Sequence, residues 1–202
     1  MPLSYYASVM SGGYPVPFVV EQTPRGERAF DIFSRLLEER IVFVAGPISP
    51  ELANVVIAQL LLLQQKDPNK EIKMYINSPG GSAYAAFAIY DTMQHIKSPL
   101  STIAVGTAAS AATALLAAGN KGKRFSLPHS VIHIHQPIGG AEGQASDIEI
   151  SAKEILRLKD LYAETLAKHT GQTKTKILKD IDRDFFMTPQ DAKKYGLVDK
   201  IL

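Results

Sequence analysis

The chain contains no cysteine in its 202 residues. That absence excludes disulfide staples, thiol nucleophiles and cysteine-based zinc sites together. It fits a reducing compartment, such as a cytoplasm or an organelle matrix or stroma. An excess of one charge is also missing, since 22 Lys and Arg face 20 Asp and Glu. No basic block stands out, which argues against a nucleic-acid-binding surface. Residues 1–15, MPLSYYASVMSGGYP, lack the basic start and apolar run of a secretory signal. The longest weakly apolar stretch, residues 101–119, is rich in Ala, Ser, Thr and Gly. It reads as a buried strand and helix, not a membrane span. Internal repeats and low-complexity segments are absent, and so are the G-x-x-x-x-G-K-[ST] and G-x-G-x-x-G phosphate cradles. What is present is a hydrophobic fraction of 46% beside 21% charged residues. Such a chain can build a core of one domain with at most a small appendage.

Residues 1–16 carry Gly12, Gly13 and Pro15 without clean periodicity, and read as a flexible leader preceding one domain over residues 17–202. Phe30, Phe33 and Leu37 recur at helical spacing, predicting a helix over residues 28–40. The β-branched run at 41–45 predicts a strand. Ser49, Pro50 and Glu51 supply an N-cap, a first-turn proline and an early acid for a helix to about residue 65. Strands are then expected at 72–76, 102–105, 124–127 and 131–135, with helices at 83–96 and 111–118. This alternation predicts an α/β fold with a parallel sheet. A Gly-rich loop at 139–143 leads to a long helix over about 147–169, either a core helix or a projecting oligomerisation arm. Thr188 and Pro189 open a last helix stopped by Gly196, and residues 197–202 read as a closing strand.

Three segments carry chemistry. Ser110, in GTAASAAT, stands after a strand and a small-residue turn at 106–109, where a helix should begin. Unpaired N–H groups and the positive helix end lie beside such a position and would support an oxyanion. An ordinary N-cap serine is the plain alternative. Gly80 and Gly81 follow Ser78 and Pro79 between strand and helix. Adjacent glycines allow positive φ and close backbone approach, serving either a tight turn or hydrogen-bond donors for an oxyanion or peptide. His133 and His135 are two apart on a strand and face one side, so either could be a base. A zinc pair at that spacing lacks a nearby third ligand. Asp184 lies among Asp180 and Asp182 and precedes Phe185, Phe186 and Met187, so it borders apolar surroundings. Residue chemistry alone leaves the base and the acid open.

The segments EQTPRGERAFDIFSRLLEERIVF, YINSPGGS, IYDTMQ, GTAAS, AAGNKGKRFSLPHS, IHQPIGGAEGQASDIEI and DRDFFM, then YGLVD, stand in this order along the chain. In them the sequence resembles the proteolytic subunit of the ATP-dependent Clp protease, the ClpP family of serine peptidases, over nearly its whole length. The resemblance implies the crotonase-like fold of stacked β-β-α units with a strand-helix handle. It implies Ser110 as nucleophile, His135 as base and Asp184 as orienting acid, with the N–H groups of Gly81 and Ala111 as oxyanion hole. Substrate would lie as an added strand along Gly80, Gly81, Gln136 and Pro137. It further implies two stacked seven-membered rings enclosing a chamber, with Asp182 and Arg183 at the ring–ring contact. AAA+ Clp unfoldases would dock at Tyr75, Lys73, His95 and Leu202 and feed in unfolded polypeptide. No cofactor is implied, because ATP is used by the unfoldase.

Several positions depart from the family pattern. Ala111, Ala112 and Thr113 replace Met-Gly-Ala after the serine, and Ala86 replaces a glycine. His133 stands where Met is frequent, and Lys73 and His95 stand where aromatics are usual. These departures carry a second reading, a weakly active or structural paralogue that completes a mixed ring.

Overall fold

The computed structural model describes residues 16–23 and 26–202. The expected leader therefore lies, apart from residue 16, outside the described residues. The chain opens with a hairpin in which β1 (Phe18–Thr23) pairs antiparallel with β2 (Gly26–Asp31). Helix α1 (Ile32–Glu38) leads to β3 (Ile41–Ala45), α2 (Pro50–Lys66), β4 (Ile72–Ser78) and α3 (Ala83–His95). Then follow β5 (Leu100–Ala109), α4 (Ala111–Ala117), β6 (Arg124–Ser126) and β7 (Val131–Ile134). The long α5 (Ala145–Thr170), α6 (Lys174–Asp180), β8 (Phe185–Met187), α7 (Pro189–Tyr195) and β9 (Lys200–Ile201) complete the chain.

The expected α/β alternation is present. Strands β3, β4, β5, β6 and β9 form a parallel sheet in that order. Strand β5 then changes partner. Its residues 102–104 pair with β6, and its residues 107–109 pair with β7. Strand β8 adds antiparallel to β7. The core lies between sheet and helices, with Val42, Met74, Ile76, Leu60, Ile89 and Leu116 all fully buried. Each fully buried aliphatic side chain contributes roughly 1.5–3 kcal/mol of transfer free energy.

Four expectations are corrected. Residues 28–31 are strand, not helix. The Asp31 carboxylate accepts the Ser34 N–H at 2.9 Å and starts the helix only at Ile32, an N-cap overriding the apolar spacing. Residues 106–109 are not a turn but the continuation of β5. Gly106 has φ 75°, and the Asn77 side-chain oxygen sits 2.9 Å from where its Cβ would be. The β4–β5 register shifts at this level, so a small residue lets the strand bend and carry on. Helix α5 is longer than expected and ends at Gly171, in the left-handed conformation at φ 76°. The closing strand is shorter, because the Gly196 and Leu197 N–H groups both turn back to the Ala192 carbonyl and cap α7. Periodicity reveals neither the short α6 nor the three-residue β8.

Two polar clusters tie the layers together. Arg40 has φ 64°, and its guanidinium donates to the carbonyls of Leu63, Asp67, Lys70 and Glu71 at 2.9 to 3.0 Å. It thus satisfies carbonyls at and beyond the end of α2, sharing that of Leu63 with the Asp67 N–H. Near the end of α5, the Tyr90 hydroxyl lies 2.9 Å from His169 Nε2, and Arg124 donates to the His169 carbonyl at 2.9 Å. Burial pushes the His169 imidazole down from 6.5 to about 4, helped by the charges of Lys168 and Arg124. His169 is therefore neutral near pH 7 in the folded protein, and its Nε2 shares a hydrogen bond with the Tyr90 hydroxyl.

This yields a pH prediction. The unfolded chain binds a proton at His169 near pH 6.5, whereas the folded chain binds it only near 4. Stability is fully present above that window and is lost as pH falls through it. Partial exposure of His169 brings the expected loss to about 1–2 kcal/mol. Chemical denaturation at stepped pH should show this slope in the wild type, and His169→Gln should flatten it.

Candidate active site

The end of β5 delivers Ser110. The ladder sets Ala109 opposite His133, and the Ser110 N–H then donates to the His133 carbonyl at 2.8 Å. Ser110 has φ 54° and ψ −126° and makes no side-chain cap hydrogen bond. The ordinary N-cap reading therefore fails, since a cap serine is extended and turns its oxygen to the helix. Apart from Arg40, Ser110 is the sole non-glycine with positive φ among the described residues. Such a conformation costs on the order of 1–3 kcal/mol and persists only where surroundings impose it. Here the Ser110 carbonyl accepts the Thr113 N–H at 3.0 Å and the Tyr162 hydroxyl at 2.9 Å. Tyr162 is buried in α5, and burial pushes its phenol well above the usual range, so it stays a donor. The Thr113 hydroxyl reaches the carbonyls of Ala108 and His133 at 2.7 and 2.8 Å.

The loop between β4 and α3 closes over the serine. Gly80 has φ 91°, and a Cβ there would stand 2.7 Å from the Ser110 Cβ and 2.7 Å from the Ala109 oxygen. Gly81 has φ 151°, and a Cβ there would lie 2.7 Å from the Ile48 nitrogen and closer still to its carbonyl oxygen. Both glycines are required by approach as well as by φ. Ile48 clamps this loop, donating to the Gly80 carbonyl at 2.8 Å and accepting the Ser82 N–H at 2.9 Å. The bridge leaves the Gly81 N–H outside it. The Ala111 N–H has no intrahelical acceptor either, because Ala111 opens α4.

A cavity of about 490 Å³ adjoins these groups. Gly81, Ser110, Ala111 and His135 line it together with the apolar walls of Tyr84, Phe87, Ile138 and Leu158. Pro137 and Ala86 also line it, whereas the fully buried Ala112 does not. Gln136 is fixed beside it, its N–H donating to the Ile181 carbonyl at 2.7 Å and its amide to the Asp182 carbonyl at 3.0 Å.

Strand β8 sets Phe186 opposite His133 and Phe185 opposite Ile134. The ladder ends there, and the Gln136 N–H turns to the Ile181 carbonyl. The Asp184 carboxylate meets His133, with Oδ1 at 3.1 Å from Nε2. No hydrogen bond joins it to His135 among the described residues. The two histidine rings stack at 5.0 Å, as their spacing implied, and His133 also stacks on Phe186 at 4.1 Å. Asp184 is 67% exposed, which corrects the expectation of an apolar setting. Its neighbour Phe186 is turned to the surface as well. Asp180 is held elsewhere, by Lys176 at 2.5 Å and the Tyr195 hydroxyl at 2.6 Å.

The remaining candidates sit apart from the cavity. Asp182 and Arg183 are exposed beside β8. Lys73 and His95 are exposed on β4 and at the end of α3, Tyr75 stacks on Phe43 at 5.6 Å, and Leu202 is exposed. Sequence reasoning missed Tyr162 and Ile48, whose signal was only an aromatic on the inner side of α5 and an apolar residue before a helix.

The nucleophile position, the two free N–H groups and the apolar cavity suit acyl transfer through a serine. The Clp protease family model matches residues 24–202, which takes in the sheet, the cavity and the long helix. The chain therefore belongs to the Clp protease family, a family of serine peptidases.

Proposed function

We propose that the protein is the proteolytic subunit of an ATP-dependent Clp protease, a serine endopeptidase acting on unfolded polypeptide. The observation that carries this reading is Ser110 itself. It is held at φ 54° at the end of β5, in one cavity with His135 and beside the N–H groups of Gly81 and Ala111. Ser110 Oγ attacks the scissile carbonyl carbon, and His135 takes the hydroxyl proton. The carbonyl oxygen becomes an oxyanion and accepts from Gly81 and Ala111. Collapse breaks the C–N bond, His135 gives its proton to the leaving amine, and an acyl-serine remains. Water then attacks that ester with His135 again as base, releasing the carboxylic acid and restoring Ser110. Asp184 orients His135 in this scheme. The apolar walls of the cavity favour an apolar side chain next to the scissile bond.

Substrate lies extended along Gly80, Gly81, Gln136 and Pro137, bound through its main chain as an added strand, which suits broad specificity. Two heptameric rings enclose the sites, so that only unfolded chains enter. The handle helix α5, with Ile148, Ile150 and Leu156 exposed, joins the rings, with Asp182 and Arg183 at the contact. AAA+ unfoldases dock over Tyr75, Lys73, His95 and Leu202 and supply the ATP-driven step, so this chain needs no cofactor. The lack of cysteine fits work in a cytoplasm or organelle matrix. A second reading, a weakly active subunit of a mixed ring, is favoured by the contact of Asp184 with His133 instead of His135.

A fluorophosphonate probe should label the assembled protein at Ser110, and Ser110→Ala should abolish both labelling and peptide cleavage. Native mass measurement on the same sample should give a fourteen-subunit particle. Small particles without labelling would overturn the first reading and leave the mixed ring.

Gly81→Ala forces its Cβ onto the Ile48 backbone and moves the oxyanion donor. Peptidase kcat should fall by about 100-fold or more. The native mass, measured alongside, should be unchanged.

A further inference from the structure

His133 has no part in the scheme above, yet it holds the carboxylate that the scheme assigns to His135. Its ring is fixed. It is stacked on Phe186 with planes 8° apart and on His135 with planes 18° apart. Its side chain is 13% exposed against 67% for Asp184. Its main chain is fixed too, because its carbonyl accepts the Ser110 N–H. Asp184 is the movable partner. The β7–β8 ladder ends with Ile134 opposite Phe185, and just beyond it the His135 ring stacks on the His133 ring at 5.0 Å. The two histidines, two apart along the chain, share one face. An exposed carboxylate beside two stacked imidazoles has two candidate donors.

We propose that His133 is a positioning residue that competes with His135 for Asp184 and holds the catalytic set uncoupled. The inference rests on the reading of Ser110, His135 and Asp184 given above. With the carboxylate on His133, the His135 ring lacks the acceptor that would fix its tautomer and stabilise its protonated form. When Asp184 turns to His135, the Nδ1–H of that ring donates to it, and Nε2 is left to accept the Ser110 proton. His133 therefore lowers the fraction of subunits poised to react while leaving the substrate cavity, which it does not line, unaltered.

The test compares His133→Met and His133→Gln with the wild type as full chains in their native assembly. Peptide cleavage and the rate of fluorophosphonate labelling at Ser110 are the readouts. Met fills similar space and keeps a contact with Phe186 but cannot donate to a carboxylate, whereas Gln keeps an amide donor. The expected result is a kcat about 3- to 10-fold higher in His133→Met, with KM unchanged and labelling faster to match. His133→Gln should stay within about 2-fold of the wild type. If the wild type labels and His133→Met is no faster, or both variants change alike, the proposal fails and the peptidase reading stands. A fall in His133→Met alone would make His133 an anchor for Asp184 and would likewise overturn the proposal. If neither wild type nor His133→Met labels, the peptidase reading falls and takes the proposal with it. Should His133→Met not assemble, solid-state ¹⁵N shifts of histidine decide, with Asp184→Asn as comparator. The His133 Nε2 resonance must move more than those of His135, and the reverse result would overturn the competition.

Discussion

The register between β5 and β7 is the constraint on which the site depends. With Ala109 opposite His133, the Ser110 N–H falls on the His133 carbonyl, and the serine leaves the strand beside the end of β7. A slip of one residue would exchange the faces of β7 and turn both histidines away. The register is held from both sides. Ile132 and Ile134 are fully buried on one face, and the Thr113 hydroxyl spans the two strands by reaching the carbonyls of Ala108 and His133. One threonine on α4 thus joins the strand that leads to Ser110 to the strand that carries His133.

The strain at Ser110 follows from the same junction. A serine at positive φ in a free chain would relax, at a gain on the order of 1–3 kcal/mol. Three hydrogen bonds to its own peptide groups forbid this, from Ser110 N–H to His133, and from Thr113 and Tyr162 to its carbonyl. The β4–α3 loop then crosses so near that glycine is the residue that fits at 80 and 81. The Gly81 N–H is left without a sheet partner because Ile48 pairs with its neighbours on each side. The N–H groups of Gly81 and Ala111 that face the cavity unpaired are therefore by-products of how two β-α junctions meet.

Much of this was legible in the chain. The β-branched runs, the Ser49-Pro50 start of α2 and the glycine stops placed most elements, and the Ser110, Gly81 and histidine segments were recognised as the chemistry-bearing ones. The errors have one physical cause, which is that local signals yield to tertiary partners. Phe30 sits at helical spacing with Phe33 and Leu37, but β1 pairs with residues 26–31 and Asp31 caps the helix behind them. The small residues at 106–109 look like a turn, and they are strand because β7 offers them a ladder. Tyr162 lies 52 positions from Ser110 along the chain, and no spacing rule links the two. The choice between His133 and His135 could not be made from alternation, because residues two apart on a strand share a face. The resemblance selects His135, which lines the cavity with Ser110, whereas Asp184 contacts His133.

That division has an electrostatic consequence. An exposed carboxylate loses little by changing partner, since contacts of exposed charges are worth at most about 1 kcal/mol in water. Asp184 stands at the surface beside exposed Asp182, Arg183 and Phe186. A body that covers this face would remove water from the carboxylate and strengthen every remaining charge contact as the local dielectric falls. The contact of Asp184 with His133 is thus sensitive to whatever packs on β8. Ser110 lacks this sensitivity, being fixed by buried contacts within the subunit. Ser110 is set by the fold of one chain, whereas the exposed Asp184 contact answers to the surroundings of that chain.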